Sequence, residues 1–98
     1  MSVTAGEPGR AGFLCAAPGE CREVVVTTTA LPAGDYSLRC IAWEDRFGVR
    51  FRTATATLGP DETVTRTGCY VSTSVTAVEV QVHDASGEQV ATSGRVPW

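Results

Sequence analysis

Few side chains in this sequence could perform chemistry. His83 is the only histidine. A hydrolytic triad needs a nucleophile, a base and an orienting group that meet in space. Asp84, next to His83, points to the opposite side if the strand continues, and no Gly-x-Ser-x-Gly elbow occurs. His83 instead shares a face with Glu79 and Gln81, the pattern of a solvated strand face. Paired carboxylates stand at Glu44-Asp45 and Asp61-Glu62. Both read as turns, where charge is held in water and nothing raises a pKa, so glycosidase chemistry finds no support. They also lack the dense oxygen spacing of calcium loops. No phosphate-cradling glycine loop is present. The expectation is a protein that is not an enzyme, with no cofactor and no metal.

The four cysteines, Cys15, Cys21, Cys40 and Cys69, carry a different chemistry. They are separated by five, eighteen and twenty-eight residues. Structural zinc sites need closer ligand pairs, so a disulfide framework fits better, with three possible pairings. Pro18-Gly19 can turn the chain so that Cys15 meets Cys21. Cys40 and Cys69 each lie in a strand-like run and can bridge neighbouring strands or two sheets. In the chain-entropy picture a Cys15–Cys21 link contributes about 2.4 kcal/mol and a Cys40–Cys69 link about 3.6 kcal/mol. Such bonds imply an oxidising compartment, hence an extracellular or cell-surface setting; the alternative is buried thiols in a cytosolic protein.

The remaining reactive surface is cationic and aromatic. Arg46, Arg50 and Arg52 read as a guanidinium row on one strand face, with Gly48 leaving a gap. Such a row can meet a carboxylate, a sulfate or an acidic partner. The bland alternative is a solubilising face paired with acids across the sheet, such as Glu79. Trp43 shares the face of Arg39 and Ile41, and is either half-covered or part of a contact patch.

These residues need strands to position them. No segment repeats apolar residues at helical spacing over ten positions. Valine and threonine, stiff at χ1, favour strands, and turn punctuation recurs at Pro18-Gly19, Pro32 to Asp35, Gly59 to Asp61, Ser86-Gly87 and Ser93-Gly94. Strands are expected at Glu23 to Ala30, Asp35 to Trp43, Arg46 to Leu58, Glu62 to Val71, around Val78 to His83, and Gln89 to Ala91. In the second, Tyr36, Leu38, Cys40 and Ala42 share the face opposite Arg39, Ile41 and Trp43. In the third, Phe47, Val49 and Phe51 point one way, but Ala54, Ala56 and Leu58 are out of phase with them. One extra residue near Arg52-Thr53 would restore the phase, so a β-bulge or strand break is expected there. Glu44 to Arg46 then read as a hairpin turn. The fold class is all-β: an antiparallel, immunoglobulin-like two-sheet sandwich of six to seven strands.

Ninety-eight residues make one domain with a thin core. Residues 1–12, rich in glycine and polar groups, are expected to be a flexible segment, and residues 13–98 the disulfide-stapled domain. Every basic residue is arginine, and the net charge is −3, which gives no pull toward nucleic acid or anionic lipid. No apolar run approaches the ~20 residues of a membrane span, and no signal peptide is visible.

"AGDYSLRC", Phe47, Phe51, "LGPDETVTRTGCY", "VEVQV" and the final "VPW" together resemble small β-rich modules of actinobacterial secreted or surface-anchored proteins. The likeness covers Ala33 to Trp98. It implies a sandwich, an extracellular setting and a Cys40–Cys69 bridge, and no activity. The Ser/Thr-rich stretch Val71 to Thr76 and the Cys15/Cys21 pair depart from that pattern. "CREVVVTTTAL", with the size and the four cysteines, is similar to the two-disulfide amylase inhibitors of streptomycetes. Their inhibitory Trp-Arg-Tyr segment has no counterpart in "AAPGE".

Together these readings point to a non-catalytic extracellular module. It would bind a protein or cell-envelope component through Trp43, Arg46, Arg50 and Arg52, without inserting in a membrane. The alternatives are a small secreted hydrolase inhibitor, acting through Ala16 to Glu20, and a structural spacer.

Overall fold

Alternation of valine and threonine with polar residues produces strands along most of the chain. The computed structural model describes residues 1–9, 21–44, 46–72 and 75–98, with residue 51 described by its backbone alone. Among these are β1 (Ser2–Gly9), β2 (Cys21–Thr28), β3 (Gly34–Glu44), β4 (Phe47–Leu58), β5 (Thr63–Ser72), β6 (Ala77–His83), β7 (Gln89–Thr92) and β8 (Val96–Pro97). One sheet has the order β1-β2-β5; the other runs β4-β3-β6-β7, with β8 also on β6. Every pairing is antiparallel.

The two sheets form a β-sandwich. Val24 and Val26 of β2 and Val71 of β5 face Leu38 of β3 and Val78, Val80 and Val82 of β6, all fully buried. Each such side chain contributes roughly 1.5–3 kcal/mol by leaving water. Tyr36, at the edge of this core, donates its hydroxyl to the Pro32 carbonyl at 2.5 Å, tying the chain's entry into β3.

Cys40 and Cys69 are joined, so the bridge links β3 to β5 across the two sheets and not two neighbours in one. Cys21 is also disulfide-bonded and wholly buried. Cys15, its expected partner, lies outside the described residues.

Two bulges aim side chains at this bridge. In β4, Ile41 pairs with Arg50 but Cys40 pairs with Arg52, so Phe51 is the extra residue. The phase slip read from the sequence is therefore real, one position earlier than expected. In β5 the distortion is larger: Glu23 pairs with Tyr70 and Val25 with Arg66, so two steps of β2 match four of β5. Gly68 absorbs the excess at φ +72°, a region open to glycine at little cost. The buried Glu23 carboxylate fills the bow, accepting from Arg66 Nε at 2.7 Å and from the Gly68 N–H at 3.0 Å. Buried Thr67 donates to the Val24 carbonyl and accepts from the Cys69 N–H. These four bonds hold the bow and turn Cys69 inward.

Several expectations need correction. Residues 2 to 9 of the supposed flexible segment are an edge strand, because one side of their backbone pairs with β2 from Ser2↔Thr27 to Gly9↔Cys21, with a shift between Ala5 and Pro8. Its proposed boundary at 12/13 falls outside the described residues. The described strands number eight, because β1 and the two-residue β8 were not anticipated. His83 is buried instead of solvated. The β6–β7 loop folds back over it, so its Nδ1 lies 3.1 Å from the Gly87 carbonyl oxygen. Phe47 is 78% exposed, and Val49 is exposed as well, although Val49 stands opposite core residue Ala42. Among the described residues the three-stranded sheet leaves these two side chains uncovered.

Candidate interaction face

The outer face of the wider sheet is centred on Trp43. In β3, Trp43 pairs with Gly48 of β4 on one side and Ala77 of β6 on the other. Glycine is needed at 48 because a β-carbon there would lie 2.7 Å from the indole. The bare backbone lets the ring lie flat across β4. Thr76 fixes the strand beneath, donating its N–H and its hydroxyl to the Trp43 carbonyl.

The other side of the ring is capped by Arg95, whose Cζ is 3.5 Å from the ring centroid. A turn between β7 and β8 delivers it. Ser93 is pinned to Val80 by two bonds, its N–H to the Val80 carbonyl and its hydroxyl accepting the Val80 N–H. Gly94 then turns at φ +62°, and Arg95 swings over the sheet. A guanidinium on an indole is worth about 0.5–1 kcal/mol at an exposed site. The stack leaves Trp43 half-buried and its Nε1–H buried without a hydrogen-bond partner.

The arginine row is divided by the β4 bulge. Arg50 lies opposite Ile41 and shares the Trp43 face. Arg52 lies opposite core residue Cys40 and turns to the other side, where its Nε would stand 3.2 Å from a β-carbon on Gly68. Arg46 is exposed in the β3–β4 turn, as the hairpin reading requires. Arg39, placed on this face by alternation, is half-buried beside Gln81, and Arg95 joins it. The slip expected near Arg52-Thr53 would leave Arg52 beside Arg50; its true place at residue 51 parts them. Arg95 had no signal beyond a glycine before it.

Electrostatically this face is open. Glu79, the expected partner, sits across β3 from Arg50 and accepts instead from Gln81 Nε2 at 2.9 Å and the Thr92 hydroxyl at 3.1 Å. The ion pair recorded among the described residues, Arg66–Glu23, belongs to the other sheet. Arg39, Arg50 and Arg95 therefore carry positive charge near Trp43 against one carboxylate that hydroxyl and amide donors already engage. Arg95 uses its charge on the ring alone.

Among the described residues His83 meets neither a carboxylate nor a hydroxyl nucleophile. Its two nitrogens face the Gly87 carbonyl oxygen and, at 3.4 Å, Gln81 Oε1. Asp84 turns into its own loop, where Oδ1 accepts from the Ser86 hydroxyl, the Ser86 N–H and the Glu88 N–H. These bonds, the Ser86 hydroxyl first, hold its carboxyl below the usual aspartate range. Among the described residues no three His, Cys, Asp or Glu side chains converge as a metal cluster. Ala16 to Glu20, the segment read as an inhibitory loop, lies outside the described residues. No helix is long and apolar enough to cross a membrane. Comparison with protein-family models, curated proteins and solved structures returns no match.

Proposed function

We propose that the protein is a non-catalytic extracellular interaction module that binds an acidic protein or cell-envelope component through the outer face of β4-β3-β6. The carrying observation is the cluster of Arg39, Arg50 and Arg95 around a half-buried tryptophan, in a chain of net charge −3. Positive charge concentrated on one face of an acidic protein steers an anionic partner to that face. Arginine forks suit carboxylate and sulfate groups, and Trp43 supplies apolar contact area at small entropic cost. The intersheet disulfide supports the extracellular setting, since such bonds persist in oxidising compartments.

The strand order supports an immunoglobulin-like reading. β1-β2-β5 against β4-β3-β6-β7 corresponds to strands A, B and E against C′, C, F and G. The covalent link differs: antibody domains bridge B to F, which here would be β2 to β6, whereas this chain bridges β3 to β5.

Polyglutamate and heparin columns at physiological ionic strength test the reading. Arg39→Gln, Arg50→Gln and Arg95→Gln should each lower the eluting salt concentration, and Arg52→Gln, on the opposite side, should leave it unchanged. Equal loss from all four would reduce the effect to net charge and remove the face as a site.

A further inference from the structure

We infer that the free edge of β4 is an interface for a second copy of this chain, through antiparallel strand pairing centred on Thr55. Among the described residues β4 is a terminal strand, paired with β3 alone, and its Phe47–Leu58 span is twelve residues. An exposed edge invites pairing, and proteins blunt it with charge, proline, bulges or brevity. The other edges are so blunted. β1 has Pro8 and a register shift between Ala5 and Pro8. β5 has Arg66 and the Gly68 bow. β7 has four residues and a register shift, and β8 has two, one of them Pro97. The first half of β4 is also guarded, by Arg50, Arg52 and the bulge at Phe51. From Thr53 to Leu58 there is no charge, proline, glycine or bulge.

That stretch is self-complementary. Thr53, Thr55 and Thr57 are exposed on one face, with half-buried Ala54 and Ala56 on the other. A two-fold axis through Thr55 places Thr53 opposite Thr57 of the second copy and Ala54 opposite Ala56. Like faces then coincide, and threonine pairs directly opposite one another favour antiparallel strands. Charge selects the same arrangement. Exposed Arg50 and Arg52 precede the stretch, and exposed Asp61 and Glu62 follow it. Antiparallel pairing about Thr55 sets Arg52 of each copy opposite Leu58 of the other and Arg50 level with Pro60, which keeps like charges apart; in-register parallel pairing would set each arginine against its own counterpart. The product is a sheet continuous through both copies, with two Trp43 faces on one side.

Sedimentation velocity of the oxidised full chain across a hundredfold concentration range tests this. Wild type should shift from monomer to dimer as concentration rises. Thr55→Lys and Thr55→Glu each place like charges opposite one another at the axis, and each alone should remain monomeric. Their equimolar mixture should dimerise again, because the facing charges then attract. The interface is refuted if wild type stays monomeric throughout. It is refuted equally if either variant dimerises as wild type does, or if the mixture stays monomeric while both variants keep the wild-type circular dichroism spectrum.

Discussion

The bow in β5 and the face around Trp43 handle polar groups in opposite ways. In the bow a buried carboxylate, two backbone N–H groups and a threonine hydroxyl answer one another. At the face, Arg39 and Arg50 lack ion-pair partners among the described residues. A polar group that serves the fold must be closed, since leaving it unpaired in the interior costs about 1–3 kcal/mol. A group that serves recognition must be left open, because its partner arrives later. On the proposed reading the contrast divides residues of one chemical type: Arg66 is paired across the bow, and Arg50 has no ion-pair partner among the described residues.

The largest expected effect lies in the closed region. Glu23→Ala strands the Gly68 N–H and should cost about 2–3 kcal/mol, read as a lower denaturant midpoint, while salt elution from an anionic column stays as in wild type. A variant as stable as wild type would erase the distinction between the two regions. Gly48→Ala comes next. The added methyl must push the indole off β4, costing about 1 kcal/mol by overpacking and freeing Arg95 from its stack. The near-ultraviolet circular dichroism of tryptophan should change with it, and an unchanged spectrum would mean that the ring does not depend on the bare backbone. The smallest effect belongs to Asp84, an exposed carboxylate closed on its own loop. Its pKa is lowered on folding, so its contribution is complete above the ordinary aspartate range and disappears as pH falls through the lowered value. Asp84→Asn should therefore be slightly less stable than wild type at pH 7, and the two melting temperatures should converge on titration toward pH 2.

Much of this contrast was legible in the sequence where periodicity carried it. The facing of Tyr36, Leu38, Cys40 and Ala42 followed from alternation, and the β4 bulge from a slipped phase. The β5 bow was not legible. The bow adds two residues, an even number, so the alternation of β5 keeps its phase and registers no slip. β1 was hidden by its Gly-Glu-Pro-Gly composition, because its strand character comes from β2 and not from local propensity. The Trp43 residue was visible, but its companions depended on which arginine the bulge turned away and on a turn more than forty residues downstream. His83 was misplaced for a similar reason: the loop that covers it follows it in the chain.

The β3-to-β5 bridge has a consequence under tension. A force applied to the two ends would run from Cys40 to Cys69 through sulfur, bypassing the 29-residue separation between them. Roughly 100 Å of contour would be held back until a reductant cut the shortcut. A chain anchored at both ends would thus lengthen in two instalments, the second released by chemistry and not by load.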